Sequence, residues 1–125
     1  MNKSKKDMIK NKVLAELIGR VGKQNAISMN ELHKAVFGNE PKHDVHDTRK
    51  IRKIITELRK EGIPICSTTN KNMGGYYVPV GSERDEYCRT IRNRALKLLT
   101  IEAKIKKTQL SKIIREISLS LGGVK

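Results

Sequence analysis

Arg49, Lys50, Arg52 and Lys53 crowd into one short stretch, with His46 just ahead of them and Asn70, Lys71 and Asn72 in a later turn. A guanidinium presents a planar fork of donors that matches O6 and N7 of guanine, whereas an ammonium serves a phosphate as a point charge. Arg49 and Arg52 are therefore the candidates for base edges, and Lys50 and Lys53 for phosphate. Asn70, Lys71 and Asn72 are the candidates for backbone or minor-groove contact. Other chemistries find less support. There is no Walker-type phosphate loop, no Ser or Cys nucleophile in a familiar setting, and no pair of carboxylates beyond those expected at helix caps. No catalytic residue is assigned, and an enzyme is not expected. His43-Asp44-Val45-His46-Asp47 offers imidazoles and carboxylates, but its spacing matches no closed zinc pattern, and Cys66 and Cys88 fall in different elements. No metal and no cofactor is expected.

The charge balance points the same way. Lys and Arg number 27 against 13 Asp and Glu, a formal net charge of +14. Such a field attracts polyanions and favours non-specific contact with nucleic acid. The excess is spread along the chain, so it does not read as a disordered basic arm. Two cysteines outside any C-x-x-C pattern suggest a reduced, cytoplasmic setting. The N-terminal MNKSKKDMIKNK lacks the apolar run of a signal peptide, and no stretch approaches the roughly 20 apolar residues of a membrane span.

Those side chains need elements to carry them. Ile9, Val13, Leu14, Leu17, Ile18 and Val21 recur at helical spacing and predict a first helix over 7–21, with Asp7 as its cap and Gly22 as its stop. Ala26-Ile27-Ser28 reads as a single short strand. Ser28 and Glu31 form a capping-box pattern that opens a second helix over 29–37, burying Leu32, Val36 and Phe37. After a connector over 42–46, Asp47 is placed to cap a third helix, with Ile51, Ile54, Ile55 and Leu58 on its core face. At about 100° per residue Arg49, Lys53, Thr56 and Lys60 fall on the opposite face, with Lys50 and Arg52 on the flanks. Gly62 and Pro64 end that helix. Ile65–Ser67 and Tyr76–Val80 then read as two strands around a turn-rich segment.

From Ser82 onward, a capping serine followed by acids opens a long helix in which Tyr87, Ile91, Ala95, Leu98 and Ile105 keep helical spacing, widened by Ile101 or Leu99. The apolar stripe changes phase near Lys106-Lys107-Thr108-Gln109, and Leu110, Ile113, Ile114, Ile117 and Leu121 make a second face. Two helices are expected there in preference to one. The fold class read from this order is mainly α with a small β-hairpin (α+β). Residues 1–81 form one domain and residues 82–125 a C-terminal helical extension.

Leu58-Arg59-Lys60-Glu61-Gly62-Ile63-Pro64-Ile65 followed by Gly75-Tyr76-Tyr77-Val78 resembles the ending of the winged helix-turn-helix family of the biotin repressor's DNA-binding domain. The resemblance covers residues 9 to 80. The chain also resembles small phage and prophage winged-helix proteins with a helical extension after the wing. The resemblance implies a winged fold and binding to double-stranded DNA. GNEPKHDVHD makes a longer connector than in typical members, and the biotin-linked chemistry of the repressor is not expected here.

The extension carries more large apolar side chains than a small winged core can cover. Tyr87, Ile91, Leu98, Ile105, Ile113 and Ile117 are accordingly the candidates for a homodimer interface. A two-fold dimer would set its recognition helices about 34–36 Å apart on adjacent half-sites. The function expected is a sequence-specific duplex DNA-binding protein, a small bacterial or phage transcription regulator. Its rival is a replication, recombination or packaging adaptor that binds DNA and recruits a protein partner through the C-terminal helices. A basic RNA-binding protein is the third reading.

Overall fold

The computed structural model describes residues 3–69 and 74–122, together with the backbone but not the side chains of Lys3, Asp44 and Val45. Among the described residues, six α-helical segments and one two-stranded antiparallel sheet appear in the order α1 (Lys3–Ile18), α2 (Met29–Phe37), α3 (Asp44–Asp47), α4 (Arg49–Lys60), β1 (Cys66–Thr68), β2 (Gly75–Tyr77), α5 (Glu83–Ile105) and α6 (Leu110–Gly122). The architecture is α+β, mostly helical. The chain divides into two compact units, Met1–Asp85 and Glu86–Lys125. Among the described residues, no helix is long and apolar enough to cross a membrane.

In the first unit, α1, α2 and α4 enclose a core of aliphatic side chains. Ile9, Val13 and Leu17 of α1 meet Leu32 and Val36 of α2, and Ile51, Ile54, Ile55 and Leu58 of α4, with Ile27 and Ile65 closing the cluster. These are the periodic positions of each helix. A stripe repeating every three or four residues has only one way to leave water, which is to face the stripes of its neighbours.

Helix α1 departs from the expected bounds at both ends. It begins at Lys3, so Asp7 lies inside it and caps nothing. It stops at Ile18, and Val21 is half-exposed because its backbone pairs with Val78 in a parallel bridge instead of continuing the helix. The bonds from Gly22 N–H to Val78 O, 2.8 Å, and from Val78 N–H to Arg20 O, 2.8 Å, draw residues 20–22 out of helical geometry.

Helix α2 has the expected bounds. The Ser28 hydroxyl accepts from Glu31 N–H at 3.1 Å, which satisfies one of the donors left over in the first turn. At the other end Gly38 adopts φ 85° and donates its N–H to Lys34 O at 2.8 Å, a left-handed cap that side chains tolerate poorly. Phe37 is not buried. It stands on the rim with its ring centroid 4.8 Å from that of His33.

The hairpin register pairs Cys66 with Tyr77, Ser67 with Tyr76 and Thr68 with Gly75. β1 lies one residue later than expected, whereas β2 begins one residue earlier and ends at Tyr77, three residues short of Val80. The expected strand at 26–28 reduces to one antiparallel bridge, Ile27 with Tyr76, with 2.9 Å bonds in both directions. This bridge joins the loop before α2 to the free edge of β2. It fixes the hairpin to the helical core, which a two-stranded ribbon needs to be stable.

In the second unit, α5 and α6 are separate helices. Lys107 takes φ 55°, and Thr108 N–H returns to Ala103 O at 2.8 Å, which ends α5 before α6 begins. Ala103 and Ile113 are buried, whereas Ile91, Leu98, Ile101, Ile105, Ile117 and Leu121 are exposed.

Candidate nucleic-acid interface

Helix α4 separates its residue types by face. Ile51, Ile54, Ile55 and Leu58 are buried, and Arg49, Lys50, Arg52, Lys53, Thr56 and Lys60 are exposed. The helix carries acids only at Glu57 and, just past its end, Glu61. Both stand on the flank toward α1. Lys10 Nζ lies 2.7 Å from Glu61 Oε2 and Lys6 Nζ 3.7 Å from Glu57 Oε1. The bond to the Glu61 carboxylate holds the Lys10 ammonium above its ordinary value. Arg59 turns the other way and donates from Nε to Ile65 O at 2.8 Å, tying the helix end to the strand that follows. The outward face is left to cations.

The N-terminal turn of α4 runs against local helix preference. It contains no acid, and Arg49, Lys50 and Arg52 stand where the positive end of the helix dipole favours carboxylates. Residue 48 provides no side-chain cap either. Thr48 is buried, in αR geometry. An arrangement that costs helix stability and places three cations at the leading end of the helix suits an incoming anion.

Asp47, expected to cap this helix, does something else. It ends the one-turn α3, and its Oδ2 accepts from Lys42 N–H at 2.8 Å and His43 N–H at 2.9 Å. The reason is local: the Gly38–His43 loop doubles back, and its amides reach the carboxylate before the α4 amides do. The bonds, that of His43 first and then that of Lys42, hold the Asp47 carboxyl below its ordinary value of 3.8. A lowered folded value means that this carboxylate contributes to stability above pH 3.8 and loses the contribution as the pH falls through the folded value. The Lys42 and His43 amide resonances should therefore titrate together, with a common midpoint below 3.8. A midpoint at or above that value would disprove the shared bond.

His46 is exposed in α3, one helical turn ahead of Arg49. It joins Lys42, Asp47 and Lys50 around an open groove of about 530 Å³ whose other wall is His33, Phe37, Asn39 and Glu40. The sequence reading did not include His33. Its ring is buried, with Nδ1 2.6 Å from Asn39 O. A carbonyl can only accept, so Nδ1 carries the proton and the ring holds the loop after α2 in place. The signal was available in the spacing, since His33 and Phe37 are four apart on one side of α2.

Asn70, Lys71 and Asn72 lie outside the described residues. The dimer candidates are divided: Ile91, Leu98, Ile105 and Ile117 are exposed, Tyr87 is half-buried, and Ile113 is already enclosed within the chain. Among the described residues, no three His, Cys, Asp or Glu side chains come together as a metal site would require.

Comparison with protein-family models, with curated proteins and with solved structures returns no match.

Proposed function

We propose that the chain is a sequence-specific duplex DNA-binding protein of winged helix-turn-helix type, which lays α4 in the major groove and acts as a small transcription regulator of bacterial or phage kind. The observation that carries this reading is the cationic first turn of α4, opposed to its own helix dipole and mounted on a buried aliphatic face. A major groove about 12 Å wide accepts an α-helix, and residues at its leading end meet the base edges. Arg49 and Arg52 read bases, Lys50 and Lys53 hold phosphate, and the hairpin β1–β2 serves as the wing. The net charge of +14 supplies the sequence-independent attraction.

The test is selection from a random duplex library at defined salt, with structured RNA as competitor. One enriched motif that RNA does not displace is the expected result. A-form RNA closes its major groove to a helix. Equal competition by RNA, or no enriched motif, defeats the reading. In the second case the adaptor reading gains, because DNA contact is then secondary to a partner held by the exposed apolar side chains of α5 and α6.

A further inference from the structure

The side chains along one face of α5 have a periodicity that goes beyond simple amphipathicity. Tyr87, Ile91, Arg94, Leu98, Ile101 and Ile105 alternate steps of four and three, the a/d seam of a heptad with Ile91, Leu98 and Ile105 at a and Tyr87, Arg94 and Ile101 at d. The aliphatic members of this seam are open to solvent: Ile91 is 46% exposed, Leu98 68%, Ile101 54% and Ile105 76%. Ala103, the buried residue of α5, lies about 140° around the helix from Leu98, so the contact that covers it leaves the seam unused.

We infer that the α5 seam pairs with the α5 seam of a second copy of this chain, in register and parallel. Charge chooses the orientation. With Ile91, Leu98 and Ile105 at a, the g positions are Thr90, Lys97 and Lys104, and the e positions are Cys88, Ala95 and Glu102. In a parallel pair each g residue faces the e residue five positions further along the other helix, so Lys97 meets Glu102 of the second copy, twice by symmetry. An antiparallel pair sets g against g and e against e, which brings lysine to lysine and leaves Glu102 without a cation across the seam. Glu102 Oε2 now accepts from Lys106 of its own helix at 2.8 Å, and a carboxylate has acceptor positions for both.

Arg94 at d selects two strands, since in a pair its long side chain can run along the seam to water, whereas a trimer or tetramer would enclose it. The inference goes beyond the DNA-binding reading and does not depend on it.

Sedimentation equilibrium of the full chain without DNA tests it. The unaltered protein should form a concentration-dependent dimer. Lys97→Glu alone and Glu102→Lys alone each set like charges against each other at both contacts and should weaken the homodimer by about tenfold. Mixed one to one, the two variants should recover a heterodimer of the original strength, because each contact is again Glu against Lys. Both sites are on the helix surface, and far-UV circular dichroism verifies that the helices persist. Leu98→Lys, at the centre of the seam, should give a monomer. A monomeric parent protein, a Leu98→Lys variant that still dimerises, or a mixture no stronger than its components overturns the inference. A partner protein of another kind on this face would appear as the first of these outcomes.

Discussion

Gly75→Ala should lose about 3 kcal/mol or more of folding stability, most of what a marginal small domain has to spare. Gly75 sits at φ 154°, a conformation that side chains rarely adopt, and a Cβ there would lie 2.5 Å from the Ile27 carbonyl carbon and 2.9 Å from the Ser28 nitrogen. Both neighbours are backbone and cannot swing aside. Relief requires the Ile27–Tyr76 bridge to open, which frees the hairpin from the core and disturbs the Ser28 cap of α2. The control is Gly81→Ala, where φ is also positive, 60°, and nothing lies within 4 Å of the added carbon. That change should cost only about 1–2 kcal/mol, the ordinary penalty of left-handed geometry for an L-residue. Urea denaturation of both variants decides the matter. Equal losses would mean that the close approach at Gly75 is not what holds the hairpin in place.

Replacing Arg49 and Arg52 together by alanine should lower affinity for the selected duplex by about 2–6 kcal/mol, since each bidentate guanine contact discriminates by about 1–3 kcal/mol. Affinity for random duplex should fall far less. Lys50→Ala and Lys53→Ala should behave in the opposite manner, weakening all duplexes alike and reducing the log–log salt slope by about 0.9 for each phosphate contact removed. Filter binding at several salt concentrations separates the two patterns. Arg49→Ala has a second expected effect. It removes a cation from the positive end of the α4 dipole and should raise thermal stability by about 0.3–1 kcal/mol while it harms binding. A gain in stability with a loss of binding marks a residue kept for function. If the double variant retains its preference for the selected site, α4 is not the reading element.

These expectations rest on parts of the chain that differ in how legible they were. Helix α2 could be read to the residue, because everything that defines it is local. Ser28 caps it, Gly38 ends it, and Leu32 and Val36 lie within it. The core face of α4 was equally legible, since one-sided aliphatic spacing leaves a helix little choice about which side to bury. The seam of α5 is likewise written in steps of four and three. The exposure of its residues, which turns a pattern into a surface awaiting a partner, needed coordinates.

Where the reading failed, a partner or a helix start other than the expected one had taken over. Asp7 has the chemistry of a cap, yet α1 starts before it; Val21 continues the apolar stripe, yet Val78 claims its backbone. Asp47 would cap α4 if the 38–43 loop did not offer its amides first. The second strand stops short of Val80 because the Val78 backbone pairs with residues 20–22 instead of with β1. Of this protein, the sequence by itself determined which residues leave water and where cations gather, for these follow from side-chain type and helical period. Tertiary structure alone decided which backbone groups pair across the fold, and thus where Gly75 must be bare and which acid faces which amide. Hydrogen bonds between distant segments depend on three-dimensional closure, and no periodicity in the chain records it.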